Sequence, residues 1–537
     1  MGKRSRQKSG ECYRLGIRPF DVVGFLYLFA MFGIFPWFMN NKYFNITITR
    51  YRFFMWSSIL FIILVIVAFV IDYTILKHYG INEKPFGANV FDKTKKTHYN
   101  PLFWIEAFAI ANVFSFVLAE NRKNASTGEQ GRFLGVWFFI CAMGVVLLLR
   151  VRVKETVLAV FEISALYAAI VAIYQHLEPV LKQSFLSKLP FAHYKDDMAE
   201  KYQKTFMSTF GNINVVASFL AIAVPVLLCI FVYTNKLWHK IMSGFVLFAS
   251  SMTIMVANSD SAYLGIAVAV MLLFFIALRD DKLRYFFAGI VILAAGYFTM
   301  TMLNHTVLDD YDKRGGFAET LDKPKVILVM LIVAVVVFVA WLLVERLFGD
   351  KLSKINKKKI CIIILCLIAV VFVVAVIIGV KMKMNLFHFN YKWGTYRGYI
   401  WTKCGEIFRD AGPLRKLFGY GQESLLSIMQ GRYYDEMLMV TNKVYDNAHN
   451  ELLQYLVTTG LLGMVSYIGL FISSVIYIFK RANKRVIANV CIVAMVGYFA
   501  QAIINISQPI TTPFFFIFMA LGLGYVSDVR NEEDVNG

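Results

Sequence analysis

Apolar runs long enough to cross a bilayer recur from one end of this chain to the other. Phe53–Val70, Phe133–Leu149, Val326–Val344 and Ile360–Val380 are filled by Leu, Ile, Val and Phe, with charges at their ends. A spanning helix needs about 20 predominantly apolar residues, because lipid offers no partner to an unpaired backbone N–H or C=O. The pattern predicts spans at roughly 20–39, 53–75, 101–119, 133–150, 157–177, 212–234, 240–257, 261–278, 285–303, 325–347, 360–380, 451–479, 486–504 and 512–527. The expected fold class is all-α: a polytopic transmembrane helical bundle of about 12–14 spans, with 1–537 forming one integral membrane domain.

Two polar stretches interrupt the pattern. Residues 178–211, rich in Lys, Asp and Tyr, read as an interfacial helix pair, and residues 381–448 form a loop whose length marks it as functional. Composition agrees with the pattern. The chain is 58% hydrophobic and 17% charged, with a mean hydropathy of +0.60, whereas soluble domains carry roughly 25% charged residues. The net charge of +20 reads as membrane topology, because Lys and Arg gather on alternate connectors. Lys3, Arg4, Arg6 and Lys8 fall on one side, with Lys93, Lys95, Lys96, Arg279, Lys282 and Arg284. Lys357, Lys358, Lys359, Lys480, Arg481, Lys484 and Arg485 join them. Both termini are therefore expected in the cytoplasm, with 381–448 facing outward. No cluster interleaves Arg or Lys with aromatics as a nucleic-acid face would. The N-terminal tail lacks a signal-peptide cleavage pattern and reads as an anchor. The seven cysteines show no metal-ligand spacing. Cys404, alone in the outer segments, argues against a disulfide framework.

The long loop has its own grammar. Gly394–Asp410 reads as an amphipathic helix, with Arg397, Trp401, Cys404 and Phe408 at spacings of four, three and four on one face. Gly412-Pro413 ends it, Gly419-Tyr420-Gly421 is a turn signal, and Gln422–Gln430 is predicted as a short helix. Tyr445-Asp446-Asn447-Ala448-His449-Asn450 then runs into Glu451–Phe479, with Asp446 or Asn447 as the expected N-cap.

This places His449 in the first turn of a spanning helix at the outer surface. The positive end of the helix dipole favours anions there and biases an imidazole toward its neutral form. A neutral imidazole can take a proton from a hydroxyl. Arg397, packed over the same region, can grip phosphate oxygens in a bidentate way. A base beside a phosphate clamp at the lipid–water boundary suits a lipid-linked phosphate. Each residue alone has a plainer reading: His449 as an interfacial polar group, Arg397 as a snorkelling residue, Gly460 and Gly463 as close-packing sites. Glu106 and Glu162, inside spans, read either as functional carboxylates or as interhelix partners.

Ala448-His449-Asn450-Glu451-Leu452-Leu453-Gln454, followed by Gly460 and Gly463, resembles the A-H-N-x-x-L-Q…G-x-x-G signature of the O-antigen ligase and Wzy-type polymerase superfamily. Arg397-x-x-x-Trp401, Pro413 and Gly419-x-Gly421 resemble the loop pattern of the same family. Gly211-Asn212-Ile213-Asn214 is similar to its G-N-x-N start of a middle span. Ser259-Asp260-Ser261-Ala262-Tyr263-Leu264-Gly265 stands where members have S-R-G-A-x-L-G. The resemblance runs over 211–465.

The resemblance implies transfer of a glycan from a polyprenyl-pyrophosphate carrier to an acceptor hydroxyl on the outer face of the bacterial plasma membrane. The acceptor would be a glycan or lipid-linked glycan, and other proteins of a polysaccharide assembly system would be partners. No cofactor, metal or nucleotide sugar is implied, and no acidic cluster with metal-ligand spacing stands in an outer segment. By the resemblance His449 activates the hydroxyl and Arg397 binds the pyrophosphate. Asn450 and Asn447 orient the groups, Trp401 braces the clamp, and Gly419, Gly421, Asn214, Ser259 and Asp260 complete the substrate-binding set. Asp260 departs from the family's Arg, so a second cation would come from Lys392, Arg409, Arg415 or Arg432. The competing readings are a flippase of lipid-linked glycans and a protein O-oligosaccharyltransferase of the same superfamily.

Overall fold

The computed structural model describes residues 18–79, 100–128, 132–149, 151–203, 205–308, 317–384, 387–482 and 485–527. The basic positions Lys3, Arg4, Arg6, Lys8, Lys93, Lys95, Lys96 and Lys484, and Cys12, lie outside them.

The protein is an all-α, polytopic membrane protein. Its helices begin with α1 (Pro19–Phe29), continued to Trp37 by π and 3-10 turns, then α2 (Ile46–Tyr79), α3 (Pro101–Val117), α4 (Arg122–Thr127), α5 (Val136–Leu148) and α6 (Leu158–His176). After two single turns, α7 (Glu178–Leu181) and α8 (Glu200–Gln203), come α9 (Ile213–Tyr233), α10 (Leu237–Ala257), α11 (Asp260–Arg279) and α12 (Leu283–Val307). The short α13 (Phe317–Leu321) precedes the long α14 (Pro324–Lys354) and α15 (Lys357–Lys381). The segment after them holds α16 (Trp393–Asp410), α17 (Pro413–Phe418) and α18 (Leu425–Thr441). The chain closes with α19 (Glu451–Thr458), α20 (Gly460–Arg481), α21 (Val486–Ala502) and α22 (Thr512–Ser527).

Asparagine starts many of these helices. Asn100, Asn121, Asn212, Asn356 and Asn450 each accept a first-turn backbone N–H, satisfying donors that the helix itself leaves unpaired. Among the described residues ten helices are long and apolar enough to cross a membrane. The predicted spans at 101–119, 133–150, 486–504 and 512–527 coincide with four shorter apolar helices, α3, α5, α21 and α22. At 13 residues, α5 is about 20 Å long against a hydrocarbon core of about 30 Å.

The centre of the bundle is α9, buried along nearly its whole length against α10, α11 and α21. Small residues let these backbones approach: a Cβ on Gly497 would lie 2.0 Å from the Ala221 carbonyl, and one on Gly265 would lie 2.7 Å from Ala221 Cβ. At the other extreme α14 and α15 keep almost all of their apolar side chains on the outside. A pair so apolar all round is stable only in lipid. One buried cation stitches the loops: Arg50 donates to the carbonyls of Phe35, Pro36 (2.8 Å) and Thr209 (2.7 Å), where the regular helical bonding of α1 has ended. Of the two intramembrane carboxylates, Glu162 is an interhelix partner, meeting His239 at 2.8 Å with both side chains fully buried.

Two expectations about the polar segments are corrected. Among the described residues, 178–211 hold no pair of helices longer than the single turns α7 and α8. They hold single turns and an antiparallel pair, β1 (Phe206–Met207) against β2 (Gly211–Asn212). The predicted helix at 422–430 runs instead from Leu425 to Thr441, because Ser424 rather than Gln422 ends the turn. The long loop is a folded cap with its own core. Tyr399, Ile400, Cys404, Ile407, Leu425, Met429 and Met437 pack together with Ala448 and Val457. The buried face of α16 is thus Ile400, Cys404, Ile407 and Ala411, while Arg397, Trp401 and Phe408 lie half-buried at its edge. Lys403 fastens the cap internally, reaching Glu406 at 3.0 Å and Glu436 at 2.9 Å.

Candidate functional site

The cap meets the bundle along a backbone seam. Tyr420 N–H donates to Val457 C=O at 3.1 Å and Gly421 N–H to Thr458 C=O at 2.9 Å. These carbonyls lie at the break between α19 and α20, where Gly460 takes φ +69°. The predicted continuous span 451–479 is therefore two helices. A Cβ on Gly460 would lie 2.4 Å from the Leu417 carbonyl, and one on Gly419 would lie 2.3 Å from that of Thr458. The two glycines allow one another's backbones to touch. Around the seam Arg415 donates to the carbonyls of Leu118 (2.7 Å) and Gly419 (3.3 Å), and Gln422 to Asn112.

The segment carrying His449 is pinned on every side. Its N–H donates to Asn447 Oδ1 at 2.8 Å. Ala448 N–H donates to Gln454 Oε1 at 3.0 Å, and Ala448 C=O accepts from Trp401 Nε1 at 3.0 Å. The N-cap of α19 is Asn450, which accepts from Leu453 N–H at 3.0 Å, in place of Asp446 or Asn447. His449 consequently precedes the helix rather than lying in its first turn, with its backbone in the left-handed region at φ +49°. Such backbone in a bulky residue costs about 1–2 kcal/mol and persists where neighbours hold it, commonly at functional sites.

Arg397 follows three successive left-handed residues, Gly394, Thr395 and Tyr396, so the regular turns of α16 begin at the arginine. Its Nη1 donates to Gly394 C=O at 3.3 Å, and its Nε is buried without a hydrogen-bond partner. Tyr445 joins the two segments, its OH donating to Thr395 C=O at 3.5 Å and its ring meeting His449 edge-on at 6.0 Å. Burial pushes the His449 imidazole down to about 4, the positive charges of Arg397 and Arg132 push the same way, and Asp446 opposes them. At neutral pH His449 is therefore a neutral base. The cause is enclosure and neighbouring cations more than the helix dipole. Burial also holds Arg397 below its ordinary range, with Asp260 and Tyr445 opposing.

The expected site residues thus fall into three groups. Arg397, Trp401, Asn447, His449 and Asn450 come together, and Asp260 acts on the Arg397 charge. Trp401 braces the His449 segment through its bond to the Ala448 carbonyl. Asn214 and Ser259 belong to a polar cluster at the ends of α9, α11 and α21. Ser259 Oγ donates to Asn214 Oδ1 at 3.0 Å, and Asn505 Nδ2 reaches Ser261 at 2.9 Å, Ser218 at 3.1 Å and Gln501 at 3.0 Å. Gly419 and Gly421 form the seam. Of the expected second cations, Arg415 is engaged at the seam, Arg409 pairs with Asp410, Arg432 lies over the Tyr420 ring and Lys392 is exposed.

Sequence reasoning missed several members. Arg132, between α4 and α5, bonds Asp446 at 2.8 Å. Glu423, at φ +57°, has its carboxyl pushed up to about 8 by burial, against Arg132 and with Asp446. It lines a cavity of about 20 Å³, room for a water, together with Asn447, Gln454, Tyr455, Thr458 and Ser507. Beneath the site Glu451 accepts from Ser507 (2.7 Å), Tyr467 (3.0 Å), Tyr455 (3.3 Å) and Tyr498 (3.5 Å), tying α19 to α20 and α21. Only Glu451 had a signal: it sits inside the A-H-N motif. Folding brings ligand atoms of Glu178, His193 and Asp196 within 4.8 Å of one another. They are satisfied by one another, by Lys195 on Glu178 at 3.0 Å and by Ser187 C=O on His193 at 3.0 Å.

The fold is thus a helical membrane bundle with a folded cap, and His449 and Arg397 lie where the two meet. Residues 325–468 match the family model of the O-antigen ligases. The matched stretch contains both Arg397 and His449, so the cap and the helices that flank it are similar to the O-antigen ligases. No curated protein matches the sequence.

Proposed function

We propose that the protein transfers a glycan from a polyprenyl-pyrophosphate carrier to an acceptor hydroxyl on the outer face of the bacterial plasma membrane. Both termini are then cytoplasmic and the cap faces outward. The observation that carries this reading is the meeting of a neutral, backbone-pinned His449 with Arg397 inside the O-antigen ligase match. His449 takes the proton of the acceptor hydroxyl as its oxygen attacks the anomeric carbon. The bond to the carrier pyrophosphate breaks, and Arg397 stabilises the charge that develops on the departing oxygens. A pyrophosphate leaves as a stable anion, so the reaction asks for charge stabilisation more than for an acid. Asn447 and Asn450 orient the base through the turn and cap they form, and Trp401 holds that turn from the cap side.

We favour polymerisation of carrier-linked repeat units over transfer to a lipid A core, since nothing in the sequence points to lipid A. Conversion of His449 to Ala is expected to abolish polymer while leaving the protein in the membrane at normal abundance. Chain length of the surface glycan on gels reads the outcome, and normal length in the variant would overturn the mechanism. A transporter reading predicts instead that lipid-linked precursor accumulates on the inner leaflet.

A further inference from the structure

Two guanidinium charges act on His449, those of Arg397 and Arg132, although the sequence marks only one. Arg132 comes from the connector between α4 and α5, far from the cap in sequence, and reaches the cap-to-bundle segment through Asp446, three residues before the histidine. The two arginines share a feature. In each the Nε is buried and has no hydrogen-bond partner, although an Nε and an Nη together form the edge that grips an oxyanion. Arg132 is engaged through one Nη only, by an Asp446 that is itself over a third exposed. Glu423 faces the same arginine and the same aspartate. A carboxylate held at the rim of a site by one arm of an arginine occupies the place that an anionic ligand would take.

Resting on the carrier-pyrophosphate reading of the site, we propose that Arg132 is a second anion-binding residue: Arg397 takes one phosphate of the carrier, Arg132 takes the other, and Asp446 holds the Arg132 guanidinium in position until the donor displaces it. No bond is made or broken by this exchange; one charge-assisted pair replaces another. Two separate cations would make the site selective for a diphosphate over a monophosphate. The Asp446 carboxylate, released from Arg132, stays close enough to His449 to favour the imidazolium that forms as the hydroxyl gives up its proton.

The test is binding of short-chain carriers to the full chain in lipid nanodiscs: farnesyl pyrophosphate, farnesyl monophosphate and farnesol. Wild type is expected to prefer the pyrophosphate over the monophosphate by at least tenfold. Arg132→Gln is expected to lose about tenfold for the pyrophosphate and little for the monophosphate, and Arg132→Lys to fall between. Arg397→Gln is expected to weaken both. Asp446→Asn separates an anion-binding role from a structural one. It breaks the same bridge but leaves the cation, so pyrophosphate binding is expected to hold or tighten. Equal losses in Arg132→Gln and Asp446→Asn, or an Arg132→Gln protein with undiminished preference, would overturn the Arg132 proposal while leaving the Arg397 site standing. A wild-type protein that binds all three lipids alike would instead overturn the carrier-pyrophosphate reading itself.

Discussion

In the proposed reaction His449 is the base, and the surroundings of its ring set its basicity. Burial lowers its basicity first, Arg397 and Arg132 lower it further, and Asp446 raises it. The base is present above a pH of about 4 and is lost as falling pH protonates the ring. The acid limb of kcat/KM, which reports the free enzyme, is therefore expected near 4 rather than at the ordinary 6.5. Replacing Arg397 by Gln removes a repelling charge and is expected to move that limb upward while cutting the rate. Asp446→Asn is expected to move it further down. A wild-type limb at 6.5 would show that the working base is a solvated histidine or another group.

Among the elements, the seam between the cap and the α19–α20 break sets the position of the site. Gly460 is required there twice over, by its positive φ and by the Leu417 carbonyl that a Cβ would meet. Gly460→Ala is expected to cost about 1–2 kcal/mol from backbone conformation alone, and more from the clash. The visible result is a cap that undocks, read as faster limited proteolysis within 387–441 while the bundle stays intact. Gly405→Ala on α16, where an added Cβ meets nothing within 4 Å, is the control and is expected to be neutral or mildly stabilising. The amphipathic pattern of α16 was legible in sequence as a helix, but the face it buries was not. The stripe through Arg397, Trp401, Cys404 and Phe408 and the stripe through Ile400, Cys404, Ile407 and Ala411 share Cys404. The choice between them belongs to Leu425, Met429 and Met437 on the partner helix.

At the scale of the whole molecule, orientation decides which compartment the site serves. Met439 on α18 is the most exposed large apolar residue of the cap, and Cys404 on α16 is fully buried, its thiol pushed up to about 12 by that burial. A Met439→Cys variant is expected to react with a membrane-impermeant maleimide in intact cells, whereas Cys404 is not. Labelling that requires permeabilised cells would place the cap inside and overturn the outward-facing reaction. The extended apolar surface of α14 and α15 suits the bundle to lipid, and in the proposed reaction the cap meets the carrier headgroup at the membrane surface.

Hydrophobic length and charge placement alone determined that this is a helical membrane protein with one long polar segment late in the chain. Those properties depend on what each stretch does in lipid, and a stretch carries them by itself. The A-H-N motif and Arg397 were legible for the same reason, as short local strings. Tertiary structure decided everything that depends on two distant stretches meeting. It brought Arg132 to Asp446 across more than 300 residues, set Asn214 and Ser259 beside Asn505, and turned Gly419 and Gly421 into the seam. It also moved His449 out of the helix that the sequence placed it in. A shift of the N-cap from Asp446 or Asn447 to Asn450 suffices for that, and a cap is chosen by which side chain the folded turn presents to the first free N–H groups.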